Sequence, residues 1–241
     1  TAHNAVVCTN GYVAALSASS SKTLFGASVH PYRRDALDEL QRCIDKGACL
    51  VKWVSSAQNI DPRNERCTPF YDMLAAHRLP LLCHTGNEHT LAGSRNELND
   101  PARLLPALKR GVTVIAAHCG ARMLLHERSY FDAWCRLALE YENCFGDISA
   151  FVIPTRMHLL ARIIRDGRLV SKVLYGSDFP GLPDLASCLF KIGFRRTLAL
   201  KREQNPINRP LRVLQELGLP DSVFSRAGGL LRMCGSRAAT V

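Results

Sequence analysis

The chain has 241 residues, 31 Lys+Arg against 21 Asp+Glu, and a formal net charge of +10. That length can bury one large core or two small ones. A hydrophobic content of 47% and a charged content of 22% exclude a disordered chain, and no apolar run approaches the ~20 residues of a membrane helix.

The basic surplus is scattered arginine without a Lys/Arg block and interleaved aromatics. A solvated surface explains it better than nucleic-acid binding. The start "TAHNAVVCTNGYV" lacks a basic segment followed by an apolar core, so no secretory signal is visible. Ten cysteines form no CxxC pair. They read as small buried thiols in a reducing, cytoplasmic setting.

In chain order, "NAVVC" (4–8) is a weak strand candidate and "TLFGASVHP" (23–31) the first clear one. Residues 33–47 follow with Leu37, Leu40 and Ile44 at helical spacing and Gly47 as a stop. "ACLVKWVSS" (48–56) is a strand, 66–79 a helix, and "PLLCHTG" (80–86) a strand. Residues 100–111 form a helix with Asp100 as N-cap and Pro101 in its first turn. "VTVIAAHCG" (112–120) is a strand, 129–141 a helix, "CFGDISA" (144–150) a strand, 157–167 a helix and "KVLYGSDFP" (172–180) a strand. From 197 onward the pattern is helical.

Strands alternating with helices predict right-handed βαβ units and a parallel sheet. The strands are continuous apolar runs, as expected where both faces are buried. No Gly-rich phosphate turn follows an early strand, which argues against a doubly wound sheet. Lys52, His84, His118, Asp147 and Asp178 fall at or near C-terminal strand ends. A (β/α)8 barrel places its active-site residues there, so the expected fold is a single barrel domain over 1–241. Neutral imidazoles and a carboxylate gathered at one mouth suit a borderline metal such as zinc with an open position for water. Such a metal brings the pKa of bound water towards ~7, and Asp178 is the natural carboxylate to move the proton.

"VKWVSSAQNIDPRN", "LLCHTGNEHT", "VIAAHCG" and "LYGSDFP", taken as an ordered set, resemble the amidohydrolase superfamily, in its amidohydrolase-related branch of metal-dependent hydrolases and decarboxylases. The resemblance implies a distorted barrel with a metal-binding HxH at the end of strand one. It makes His84 the strand-five histidine, a metal ligand, and His118 the strand-six histidine, a second-metal ligand or catalytic group. Asp178 becomes the strand-eight aspartate, metal ligand and proton shuttle. Lys52 falls on strand four, where some relatives carry a carboxylated lysine; an anion contact in the mouth is the preferred role here. No HxH occurs in the 241 residues, and the first residue is not Met. The expectation is therefore that strand one is missing from this chain and that this form holds little or no metal.

The implied activity is hydrolysis of a lactone, amide or ester by metal-activated water. The alternatives are a non-oxidative decarboxylase of the same family and a non-catalytic barrel that has lost its metal. The partner is a small molecule, which the basic surplus would suit if anionic; neither nucleic acid nor membrane is expected, and a homodimer is compatible. His89 follows His84 on one loop and is a candidate substrate contact. His30 reads as strand-end structure, and His77, His126 and His158 as surface. Asp147 either bonds a catalytic histidine or caps its turn. Arg33, Arg34 and Arg156 are candidates for a substrate carboxylate, with exposed surface as the default reading.

Overall fold

The computed structural model describes residues 8–89, 93–179, 189, 191–205 and 207–235, the last four without their side chains. Among them six strands form one parallel sheet in sequential order: β1 (Phe25–Ala27), β2 (Ala48–Trp53), β3 (Leu81–His84), β4 (Val114–Ala117), β5 (Cys144–Asp147) and β6 (Val173–Leu174). One helical segment or more separates each strand from the next, the arrangement of a (β/α)8 barrel with some strands missing. Each strand is shorter than its apolar run. The run 48–56 ends as strand at Trp53 because Ser55–Gln58 turns into a helix.

Register sorts the side chains onto two faces. Paired residues of parallel strands point the same way, and successive residues point opposite ways. Val51, Leu81, Val114 and Cys144 pair in line, and with Trp53, Cys83, Ala116 and Val173 they form the buried outer face under the helices. Trp53 anchors it, its ring 5.3 Å from Phe70 and 5.9 Å from Tyr71, both on the helix Thr68–Ala76. The inner face carries Lys52, Leu82, Ile115 and Phe145, then His84, Ala117 and Asp147 one step further on. Lys52, Leu82 and Phe145 are half-buried, whereas the three residues at the strand ends are buried.

The helices follow from amphipathic spacing and caps. Ala36–Asp45 buries Ala36, Leu40 and Cys43 and stops before Gly47, whose φ is +82°. The expected helix 100–111 divides in two. Asp100 accepts from Ala102 N–H at 2.9 Å and opens a 3-10 turn, Pro101–Leu104, after which the helix Leu105–Lys109 follows with Pro106 in its first turn. A proline opens a helix well but cannot donate within one. The helix Asn10–Ala18 was not read from the sequence; it buries no side chain, and its signal is the Thr9 cap on Tyr12 N–H. Residues 4–7 of the weak strand candidate lie outside the described residues.

Both ends of the sheet are covered. Beside β1, Asn10 donates to Ser28 C=O at 3.1 Å and accepts from Ser28 N–H at 2.9 Å, standing in for a neighbouring strand. At the other end the helix Asp221–Gly235 lies against β6 and β2. Its Val223 C=O accepts from Tyr175 N–H at 3.1 Å, and its Arg226 donates to the carbonyls of Val170, at 3.0 Å, and Val173. Unpaired strand edges left bare invite association; here Ser28, just past β1, and Val173 of β6 find partners within the chain.

Candidate functional site

His84 is the last residue of β3, His118 directly follows β4, and Asp147 is the last residue of β5. These ends are adjacent in the sheet, which sets His84 against His118 and the Asp147 carboxylate against the His118 backbone. The His84 and His118 rings lie edge to face with centroids 4.9 Å apart. His118 has φ +62° and the next residue, Cys119, +50°. Such left-handed backbone costs a non-glycine residue on the order of 1–3 kcal/mol and persists only where surroundings over-determine it. Here they do. Asp147 Oδ1 accepts from His118 N–H at 3.0 Å, Ala121 N–H closes on His118 C=O at 2.8 Å, and Cys119 Sγ–H donates to Asp147 C=O at 3.1 Å. Thr85, from the β3 loop, donates to Ala117 C=O at 2.5 Å and accepts from Gly120 N–H at 2.8 Å.

Counting hydrogens fixes the His118 tautomer. Nδ1 lies 2.9 Å from Ser149 Oγ and 3.2 Å from Ser149 C=O. The Ser149 hydroxyl donates to Asp147 Oδ1, and a carbonyl can only accept, so Nδ1 carries the proton and Nε2 is left with its lone pair. Asp147 also accepts from Ser149 N–H at 3.0 Å. Burial would raise the Asp147 carboxyl; the His118 ring, the Ser149 hydroxyl and the His118 amide hold it below the usual range instead. Asp147 therefore both caps its turn and holds the His118 backbone.

His84 Nε2 is buried and, among the described residues, has no hydrogen-bond partner. Burial first, then the His118 and Lys52 charges, push its pKa down to about 3, against Glu88 and a backbone hydrogen bond at Asn87. Burial, opposed by Asp147 and reinforced by Arg156, likewise lowers that of His118. Both imidazoles are neutral near pH 7. Glu88, passed over in the sequence, brings Oε2 within 3.7 Å of His84 Nε2; its spacing of four from His84 was the only hint. Lys52 sits half-buried on the inner face, and its charge reaches His84 and Asp147.

The remaining candidates are spread more widely. Asp178 lies beyond β6 in left-handed backbone, φ +54°, exposed to solvent. It lines a cavity of about 140 Å³ together with Met123, Phe151 and Leu214, and its charge acts on His118 and Arg156. His89 pairs with Glu127, which also caps the Met123 and Leu124 amides. His30 bonds Gln58 C=O at 2.9 Å and accepts from Tyr32 N–H at 3.1 Å, a strand-end role. His77, His126 and His158 are exposed. Arg33 is exposed and paired to Asp35 at 2.7 Å, and Arg34 is exposed. Arg156 corrects its default reading as surface: it is only 2% exposed, because its guanidinium turns inward to the loop after β4.

Two neutral imidazoles with a free Nε2 on each fit as nitrogen donors to a borderline divalent ion, and the unpartnered His84 Nε2 is the observation that carries the fit. Among the described residues, however, no group of three His, Cys, Asp or Glu side chains is placed to hold a metal ion.

The model of the amidohydrolase family matches residues 5–204, and the chain belongs to that family, whose members are generally metal-dependent. Among solved structures it is similar to a TIM-barrel protein of Bordetella bronchiseptica, at 17% identity and a TM-score of 0.65, covering 94% of this chain and 73% of that one. A Pseudomonas putida protein described as a 2-pyrone-4,6-dicarboxylic acid hydrolase aligns at 11% identity and a TM-score of 0.60, covering 92% and 77%. A 4-oxalomesaconate hydratase of Rhodopseudomonas palustris aligns at 17% and 0.51, covering 95% and 73%. At these identities the likeness concerns the fold alone. No curated protein sequence matches the chain. Among the described residues no helix is long and apolar enough to cross a membrane.

Proposed function

We propose that the protein is a metal-dependent hydrolase acting on a small carbonyl substrate, with water as the nucleophile. The observation that supports this most is the buried, neutral His84–His118 pair, with an unpartnered Nε2 on His84 and a lone pair left on Nε2 of His118. A divalent ion, zinc in the first instance, held by these nitrogens would polarise the carbonyl and make water more acidic. The protein's own residues do the rest. Asp147 and Ser149 keep the proton of His118 on Nδ1. Asp178, at the mouth, takes a proton from the attacking water on a carboxylate oxygen and returns it to the leaving group. Lys52 supplies positive charge on the inner face.

Two measurements test this. Asp178→Asn in zinc-loaded protein should lower kcat on a hydrolysed lactone, amide or ester by roughly 10²–10⁴-fold, with zinc content unchanged. Near-normal turnover would overturn the assignment of Asp178. Equilibrium dialysis of the 241-residue chain with zinc should show weak retention that His84→Gln abolishes. Retention that survives this substitution would place the ion elsewhere.

A further inference from the structure

Three parts of the chain wall the cavity of about 140 Å³ beside Asp178. The loop after β5 supplies Ala150 and Phe151, the loop after β4 supplies Met123, and the helix Asn208–Glu216 supplies Leu214. Phe151 and Leu214 are buried core residues, whereas Met123 is 43% exposed and belongs to the outer wall. Among the described residues the lining outside 176–178 is apolar, and its one charged group is the Asp178 carboxylate. The backbone is left-handed on two sides of the space, with φ of +53° at Ala150 and +54° at Asp178. Residues held so are concentrated at ligand clamps. Phe151 N–H closes on Ile148 C=O at 3.3 Å and Ile148 N–H is tied to Leu174 C=O at 3.0 Å, which fixes the β5 loop to β6.

The walls decide what fits. An ordered water needs two to four polar partners, which an apolar lining does not offer. An anionic group would meet Asp178, a like charge. An uncharged apolar group loses little by leaving water and gains contact on every side. A cavity of ~150 Å³ lined by Leu, Ile and Phe admits benzene, so the scale is that of a phenyl or branched alkyl group. The approach is apolar too. Met123, Leu124 and Leu125 follow β4 and Phe179 follows β6, all four exposed. The β4 loop presents its three on bonded backbone: Glu127 accepts from the Met123 and Leu124 amides at 3.0 and 2.7 Å, and Arg122 donates to Leu125 C=O at 2.9 Å. Exposed apolar clusters mark binding surfaces, and a methionine at the wall repacks readily as a ligand passes.

We propose that the cavity between Met123, Phe151 and Leu214 is a pocket for a compact, uncharged apolar group of the substrate, a phenyl or branched alkyl group on the leaving-group side of an ester or amide. The side follows from Asp178: the carboxylate that returns a proton to the leaving group also borders the pocket, so the departing alcohol or amine lies there. The words substrate and leaving group rest on the hydrolase reading, while binding of the apolar group does not. Filling the pocket would set the scissile bond against Asp178 by shape alone.

Benzene, which carries no bond to hydrolyse, probes the pocket in metal-free protein. It should shift the methyl nuclear magnetic resonance signals of Met123 and Leu214 saturably, with a dissociation constant of ~1 mM. Pyrazine, a ring of the same shape with two acceptor nitrogens, should bind at least ~tenfold more weakly, since apolar walls do not replace its hydrogen bonds to water. Met123→Trp, a change at an exposed position, should crowd the outer wall and weaken the benzene response of Leu214 by ~tenfold or more. Signals unmoved in benzene-saturated buffer, or moved equally by pyrazine, would overturn the proposal, and this wild-type titration decides the matter even if the variant fails to fold. In zinc-loaded protein benzyl acetate should exceed methyl acetate in kcat/KM by ~tenfold or more; equal values would overturn the leaving-group assignment. The benzene titration needs no turnover, so failure of the pocket and failure of the hydrolase reading are separately visible.

Discussion

His118 and Asp178 both leave a parallel strand in left-handed backbone, with φ of +62° and +54°, yet the two ends are held in different ways. His118 is 6% exposed and locked by Asp147, Ser149 and the Thr85–Gly120 bond. It lies after a strand paired through at least three residues on each side. Asp178 is exposed, and the strand before it has two residues, both paired to β5. The same kind of position in a βα unit has thus been used for two physical tasks. The histidine end is preorganised, its strain supported by buried hydrogen bonds. The aspartate end is anchored lightly, its side chain open to solvent.

Glycines behind the two ends offer the largest contrast. A Cβ on Gly146 would stand 2.5 Å from Cys119 Sγ and 2.7 Å from the Trp134 ring, and the backbone is tied to Lys172 C=O at 2.9 Å. Gly146→Ala should cost ~3 kcal/mol or more, because neither strand nor tryptophan can give way. At Gly176, on the Asp178 side, a Cβ meets Ser149 Cβ at 3.5 Å and the Asp147 carboxyl at 3.6 Å, which is ordinary contact. Gly176→Ala should stay within ~1 kcal/mol. Urea unfolding of both variants measures the difference, and equal losses would remove the distinction between the ends.

Acid should act on the histidine end. His84 has its pKa pushed down to about 3, below the ordinary 6.5. Between those values the unfolded chain binds the proton and the folded one resists it. Stability is therefore complete above pH ~6.5 and declines as the pH falls towards 3. Burial of His118 acts in the same sense. The depressed Asp147 carboxyl adds stability that is lost as the pH falls through its folded value. The urea midpoint should fall steadily from pH 7 to pH 4, and His84→Gln should flatten that fall. A slope unchanged in His84→Gln would mean the loss arises elsewhere.

A smaller effect isolates the Asp147–Ser149–His118 connection. Ser149→Ala removes the hydroxyl at 2.9 Å from Nδ1 and leaves the carbonyl at 3.2 Å. The expected cost is ~1–2 kcal/mol. Nitrogen-15 spectra should show Nε2 of His118 unprotonated in the wild type and a mixture of tautomers in the variant. A single unchanged tautomer would assign the fixing of the ring to the carbonyl alone.

Much of this architecture was legible because the strands are short, wholly apolar and closed by a polar residue. "LLCH", "VIAAH" and "CFGD" each announce a buried strand and its exit. What escaped depends on distance through space. Arg156 looks like any arginine before a helix until the fold lays the β4 loop over it. Ser149 carries no pattern, and its importance arises only when β4 and β5 pair. Glu88 is one acid among several in a polar loop. Asn10–Ala18 lacks an apolar stripe and is held by Asn10 against Ser28, a contact that local spacing does not encode.

The smallest expected effect is also the sharpest on the aspartate end. Asp178→Asn exchanges one oxygen for nitrogen on an exposed side chain, and asparagine adopts left-handed backbone at least as readily as aspartate. The change should alter stability by no more than ~0.5 kcal/mol. Loss of the negative charge removes one influence that raises the His118 pKa, so His118 stays neutral and its tautomer is undisturbed. Folding and the histidine pair should both persist while proton transfer fails. If Asp178→Asn instead destabilises the protein as much as Gly146→Ala, Asp178 is a structural support of the β6 loop, and the division between a fixed end and a working end does not hold.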